Sequence, residues 1–191
     1  MAEIVRNLRS TTLSTAWGLL QRHEFELRRR SGDWQAQVRE TYDRGDGAAI
    51  LLCDKAEGMV VLIRQFRFPA FYRGEPGYVI EACAGKLEGD DSQTCARKEA
   101  LEETGYVVGA ITQAFDCFMS PGSVTERLTL FIGEISGPPA ATGGGLAHEG
   151  EDIEVLRLPF RTALDMVASG EIADAKTVML LQYAALNRIF D

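Results

Sequence analysis

Three glutamates, Glu99, Glu102 and Glu103, stand near the end of the stretch EACAGKLEGDDSQTCARKEALEETGY, residues 81–106. On a helix, positions i, i+3 and i+4 share one face, so three carboxylates point the same way. Like charges at that spacing destabilise an isolated helix, which asks for a cation to offset them. Oxygen-only ligands on a rigid element suit a hard ion such as Mg2+ or Mn2+. A lone glutamate triplet is more often a solvated acidic face. The glycine-marked loop before this one, and Gly105 after it, favour the metal.

The elements around that stretch must position it. At 191 residues the chain is long enough for one domain, or a domain with an appendage, around a real core. Apolar content of 46% and charged content of 25% are ordinary for a globular protein. The formal charge of −8 argues against general binding to nucleic acid or anionic membranes, leaving room only for a local basic pocket. No run reaches the length of a membrane span, and the N-terminus shows no signal-peptide hydrophobic region. Cys53, Cys83, Cys95 and Cys117 form no CxxC pair and sit in apolar runs, as expected of reduced core thiols in a cytoplasmic protein. With only His23 and His148, a histidine-rich zinc site or a His-based triad is disfavoured.

Residues 1–45 read as a separate N-terminal unit, and residues 46–191 as the main domain. Trp17–Arg30 and Trp34–Tyr42 are extended, with the Ser31-Gly32-Asp33 turn between them, which predicts a β-hairpin arm with Arg28, Arg29 and Arg30 at its tip. Ala48–Cys53 and Met59–Phe66 form a second, strongly apolar hairpin closed by Arg64 and Arg67. Arginine there either solvates a strand end or grips a diphosphate bidentately. Residues 69–77 read as a Pro/Gly loop, and Tyr78–Cys83 as a buried strand. Val107–Met119 and Leu128–Ile135 alternate as half-buried strands on either side of the tight connection Ser120–Glu126. A flexible Gly/Pro/Ala loop, Gly137–Gly145, then delivers Glu149, Glu151 and Asp152 to a strand at Ile153–Leu158. Phe160–Ser169 is an amphipathic helix stopped by Gly170. Asp174 caps a last helix expected to bury Val178, Leu181, Ala185 and Ile189. Lys176 lies in its first turn, where a cation opposes the helix dipole and better suits an anionic ligand. Strands in front and helices in the middle and at the end make the class α+β.

Lys98-Glu99-Ala100-Leu101-Glu102-Glu103-Thr104-Gly105-Tyr106 resembles the end of the Nudix box, G-x5-E-x7-R-E-U-x-E-E-x-G-U, with U a bulky apolar residue. The resemblance implies a loop–helix–loop on an α/β/α sandwich with a mixed sheet, hydrolysing nucleoside diphosphates linked to another moiety. Two departures stand out. Lys98 replaces arginine, and the loop is one residue short, so that the first acidic position becomes Asp90 and the motif glycine falls at Ala84 or Gly85.

Arg39–Gly45, Val61–Arg67, Met119–Gly122, Gly143–Gly145, Glu151–Val155 and Gly170–Ile172 are similar to the GDP-mannose pyrophosphatase branch of that superfamily, beside the ADP-ribose pyrophosphatases. The likeness implies a homodimer with exchanged N-terminal arms. Mg2+ ligands fall at the Ala84 carbonyl, Glu99, Glu103 and Glu151. Nucleotide-sugar contacts fall at Trp17 of the exchanged arm and at Val38, Arg39, Glu40, Arg67, Gly85, Lys86, Glu126, Gly150 and Lys176, with Glu103 and Glu151 also touching substrate. Gly150 stands where the branch has an acidic residue. Glu102 holds a further ion or orients its water, and the general base is one of Glu149, Glu151 and Glu102. Carboxylate-held ions can neutralise a diphosphate and activate water together. Arg67 and Lys176 would stabilise charge on the diphosphate oxygens. The expected reaction is hydrolysis of GDP-mannose to GMP and mannose 1-phosphate. ADP-ribose or another nucleoside diphosphate sugar is the alternative substrate, and a non-catalytic nucleotide-binding module the alternative function.

Overall fold

The computed structural model describes residues 3–146, 148 and 150–190. The chain separates into two compact units: the N-terminal part through Asp46 together with Phe118–Arg127, and Gly47–Cys117 with Leu128 onward.

The first unit contains the expected hairpin, β2 (Leu19–Arg28) and β3 (Trp34–Asp43), extended to an antiparallel meander by a further strand, β1 (Val5–Ser14), in the order β1-β2-β3. β2 and β3 pair without a break from Leu19↔Asp43 to Arg28↔Trp34, turning at Gly32 with φ 97°. β1 pairs with β2 through two register shifts, and its sequence VRNLRSTTLS lacks the alternation that announces a strand. None of these three strands carries a fully buried residue. The connection at 118–127 adds a short bridge, Tyr42↔Val124.

The second unit is built on β4 (Gly47–Asp54), every residue of which is buried. β4 pairs antiparallel with β5 (Met59–Phe66) and parallel with β9 (Arg127–Glu134), giving the order β10-β5-β4-β9-β8, where β8 is Ile111–Phe118 and β10 is Glu154–Pro159. The expected strand Tyr78–Cys83 is two strands interrupted at Ala82. β6 (Tyr78–Glu81) pairs with β5, while β7 (Cys83–Lys86) pairs with β4. Ala48, Ile50 and Leu52 of β4 pack in one cluster with Cys95, Ala96 and Ala100 of the helix α2 (Ser92–Thr104). The alternate residues Ala49, Leu51 and Cys53 face the other side, toward α4 (Ala175–Leu186). Helices on both faces of a mixed sheet agree with the expected sandwich.

Two local readings change. Residues 68–72 form a one-turn helix, α1, started by Pro69 and burying nothing, so no apolar pattern signals it. α4 buries Lys176, Thr177, Leu180, Leu181 and Ala184, while Ala185 is exposed. The two polar members of that face hide its phase. Between β9 and α4, α3 (Phe160–Ser169) ends at Gly170 with φ 84°, as expected.

Candidate active site

α2 starts at a side-chain cap and stops at the glycine singled out in the sequence. The Asp91 carboxylate accepts from the N–H groups of Gln93 and Thr94 at 3.0 Å each. Gly105, at φ 77°, ends the helix with its N–H on the Leu101 carbonyl. The shortened loop before α2 closes through two successive left-handed residues, Glu88 at φ 47° and Gly89 at φ 101°. Its loss of one residue is therefore absorbed ahead of the helix, and the glutamates keep their spacing.

With Cys95, Ala96 and Ala100 on the sheet, Glu99 and Glu103 are brought against β7. A Cβ on Gly85 would lie 1.9 Å from Glu99 Oε1, so the missing side chain there makes room for the carboxylate. Glu103 is only 1% exposed, and the Ala84 N–H donates to its Oε2 at 3.3 Å. Burial pushes the Glu103 carboxyl up to about 8, and the charges of Glu99 and Glu151 push the same way. Glu102 is half-buried, next to the exposed Lys98, whose pKa is raised chiefly by the Glu102 charge.

Glu151 reaches this cluster through a strap. The Gly144 N–H donates to the Glu103 carbonyl at 2.8 Å and the Gly145 N–H to the Glu102 carbonyl at 3.1 Å. Ala140 N–H bonds the Gly105 carbonyl at 2.8 Å. The triple glycine thus satisfies helix-end carbonyls of α2 that would otherwise lack partners. A Cβ at Gly143 would lie 2.6–2.8 Å from the Glu103 and Thr104 backbone. Glu151 Oε2 in turn accepts from the Leu146 N–H at 2.8 Å. Far from being slack, the glycine loop is stitched to the helix it serves.

A third feature is not foreseen from the sequence. Glu81, 3% exposed at the end of β6, accepts from Arg67 Nε at 2.7 Å and Nη2 at 3.1 Å, and from Lys176 Nζ at 2.5 Å. Burial opposes its charge, but the two cations outweigh it and hold the carboxyl below its ordinary range. Lys176 also pairs with Asp174 Oδ1 at 3.0 Å. The sole sequence signal for Glu81 is a carboxylate closing an otherwise apolar strand, YVIE.

The other expected contacts belong to both units. Lys86, at the end of β7, and Gly150 are exposed. In the first unit, Trp17 is 77% exposed with the Arg44 guanidinium 5.5 Å from its ring centroid. Val38, Arg39 and Glu40 lie exposed on β3, with Arg39 donating to the Val38 carbonyl and Glu40 opposite Arg22. Glu126 is half-buried just before β9. Glu149, the remaining candidate base, lies outside the described residues.

The donor set fits a hard divalent cation. Glu99, Glu103 and Glu151 offer only oxygen, and the raised Glu103 carboxyl marks a place where negative charge is under-compensated. Among the described residues no three acidic, histidine or cysteine side chains already stand close enough together to hold a metal ion. A surface concavity lined by Asp54, Glu57, Tyr106, Ser136, Pro138 and Arg157 contains none of these residues.

A capped helix with this acidic face, packed on a mixed sheet beside its glycine-bearing strand, defines a class. The NUDIX domain model matches residues 43–181, and the chain belongs to the Nudix family of hydrolases. Members of this family generally work with a divalent metal. Residues 4–42 match the model described as the GDP-mannose pyrophosphatase NudK N-terminal domain. A GDP-mannose pyrophosphatase from Pectobacterium atrosepticum is 49% identical, over 93% of this chain and 92% of its own. One from Escherichia coli O1:K1 / APEC is 45% identical over the whole of both chains. Among solved structures, that of an ADP compounds hydrolase has a TM-score of 0.73 at 17% identity, covering 95% of this chain and 91% of that one, a likeness of fold.

Proposed function

We propose that this protein hydrolyses the diphosphate bond of a nucleotide sugar, GDP-mannose first, yielding GMP and mannose 1-phosphate. The observation that carries the reading is similarity to GDP-mannose pyrophosphatases end to end, supported by the placing of Glu99 and Glu103 against β7 and by the Arg67–Glu81–Lys176 cluster.

The carboxylates of Glu99, Glu103 and Glu151, with the Ala84 carbonyl, would hold Mg2+, or Mn2+ in its place. The bound cation supplies activation of water and neutralisation of the diphosphate. Glu103 loses its proton as the site fills, because an adjacent positive charge favours the carboxylate. Arg67 and Lys176 draw charge from the bridging and terminal oxygens as it builds toward the leaving phosphate. Glu151, fixed by the Leu146 N–H on the strap, can take the proton of the attacking water, with Glu102 and Glu149 as the other candidates. Gly85 and Lys86, on the strand edge beside Glu99, are assigned to the phosphates, and Gly150 and Glu126 are further candidates for contact with the substrate. The intact acidic set argues against a non-catalytic module.

Steady-state kinetics over GDP-mannose, ADP-ribose, UDP-glucose and GDP-glucose test this reading. The expected result is the highest kcat/KM for GDP-mannose, dependent on Mg2+. A clear preference for ADP-ribose would move the assignment to the neighbouring branch.

Residues 1–45 we assign to dimerisation and substrate contact, and the protein to the cytoplasm as a homodimer. In support, the arm's strands contain no fully buried residue, and Ile4, Leu8 and Leu13 are 67%, 59% and 48% exposed. A small sheet without a covered face is marginal alone. In the exchanged arrangement Trp17 stacks on the base, while Val38, Arg39 and Glu40 meet the nucleotide. Sedimentation should therefore give twice the 21.0 kDa chain mass. Trp17→Ala should raise KM by about tenfold with kcat nearly kept, the size of one aromatic stacking contact. A monomer, or an unchanged KM, contradicts this role.

A further inference from the structure

We infer that Glu81 is a positioning residue for hydrolysis, a buried clamp that holds Arg67 and Lys176 side by side with their remaining donors directed to the diphosphate. This rests on the reading of Arg67 and Lys176 as diphosphate contacts.

The two cations come from distant parts of the chain, Arg67 from the end of β5 and Lys176 from the first turn of α4. Two cations brought together repel, and Lys176 is itself buried at 8% exposure. A single carboxylate between them removes both objections. Glu81 is suited to this because β6 pairs with β5 at Ile63↔Glu81, which fixes its backbone against the strand that ends at Arg67. Next to it, the Ala82 N–H donates to Thr177 Oγ1 at 2.7 Å, and Thr177 Oγ1 donates to Asp174 Oδ2 at 2.6 Å. The same joint therefore fixes the start of α4, and with it the root of Lys176.

The geometry of the bonds shows what is left over. Glu81 takes the Nε–Nη2 edge of the guanidinium, so Nη1 takes no part in the clamp. A guanidinium held by one edge cannot swing, and offers its other edge as a flat fork to phosphate oxygens. Lys176 gives one proton to Glu81 and forms an ion pair with Asp174, and an ammonium carries three protons, so donor capacity is left over. Glu81 lies three residues before Ala84, whose N–H donates to Glu103, so the chain that carries the clamp also meets the carboxylate helix. Without Glu81, both side chains would regain rotational freedom and the diphosphate would have to order them on binding.

A double-mutant cycle on the full-length protein with Mg2+ tests the clamp. Kinetics on GDP-mannose are compared for wild type, Glu81→Gln, the pair Arg67→Ala/Lys176→Ala, and the triple variant. Glu81→Gln should raise KM about tenfold or more while kcat falls less, and the triple variant should match the pair. A triple variant worse than the pair by the full Glu81→Gln factor would overturn the clamp, as would an unchanged KM in Glu81→Gln. A purely structural role would lower the melting temperature and the active fraction while leaving KM alone. If Glu81→Gln is recovered unfolded, Glu81→Asp carries the same cycle, since it keeps the buried charge and shortens its reach. Should wild type fail to turn over GDP-mannose, the functional reading falls. The cycle is then read by calorimetric titration with magnesium pyrophosphate, where loss of the Glu81→Gln effect in the pair background supports the clamp and an additive effect rejects it.

Discussion

Glu103→Gln is expected to lower kcat by roughly a thousandfold or more, because it removes a charged oxygen from the place where the metal and the diphosphate charge must be balanced. The same change should make the metal-free protein more stable at alkaline pH. Glu103 has its folded pKa raised from 4.5 to about 8, so between those values the native state holds a proton that the unfolded chain has released. Stability from this group is full below pH 4.5, declines as pH rises, and is lost above about 8. A tenfold change in proton affinity corresponds to about 1.4 kcal/mol, so the window is worth a few kcal/mol. Glutamine never ionises and has no such window. Urea titrations in chelator at pH 5 and 8.5 should show wild type losing more stability between the two than the variant. Added Mg2+ should restore the wild type at pH 8.5 and do little for Glu103→Gln, since metal binding needs the carboxylate ionised. Persisting activity, or identical pH responses, would remove Glu103 from the metal site.

Gly105→Ala is expected to cost about 2–4 kcal/mol of stability, combining left-handed strain with a forced displacement. At φ 77° a Cβ would lie 2.0 Å from the Ala141 carbonyl oxygen, which is backbone and cannot rotate aside. The strap must then lift, and with it go the bonds from Ala140, Gly144 and Gly145 to the end of α2. Because Glu151 hangs from that strap, kcat should fall by roughly ten- to a hundredfold even in the folded fraction. Gly137→Ala is the matched control. Its φ is 71°, but a Cβ there meets nothing within 4 Å, so it bears strain of about 1 kcal/mol and no displacement. Urea midpoints and kcat at saturating Mg2+ and substrate compare the two. Equal behaviour would mean that the strap does not hold Glu151.

The metal helix is legible in the sequence because its glutamate triplet and the following Gly105 fall at the spacing of a known motif; the Asp91 cap and the small residues Ala96 and Ala100 on its inward face emerge only from the structure. The apolar hairpin of β4 and β5 is legible because its two runs are strongly apolar. What stays hidden is polar or exposed. β1 is a run of arginine, serine and threonine with no buried face, so no period reveals it. The phase of α4 misleads because Lys176 and Thr177 point inward for their hydrogen bonds, and apolar spacing cannot register that. Glu81 gives little sign of itself because a single carboxylate at a strand end is ordinarily solvated. Its partners lie at Arg67 and Lys176, and only the tertiary fold brings them to it. The strap looks slack in the sequence because glycine permits looseness as well as close approach, and local residue types do not choose between them.

β4 joins Gly47 to Leu128 in parallel, so the central strand waits for a partner made most of a domain later. Pairings of that span close slowly and only after much chain has been ordered. During synthesis, Glu99 and Glu103 emerge before β9, the strap and Lys176. Their helix has no complete floor, and their charges no full set of neighbours, until the last part of the chain arrives. The nascent chain therefore has no working centre until the residues up to Lys176 have been made and have folded back on the helix.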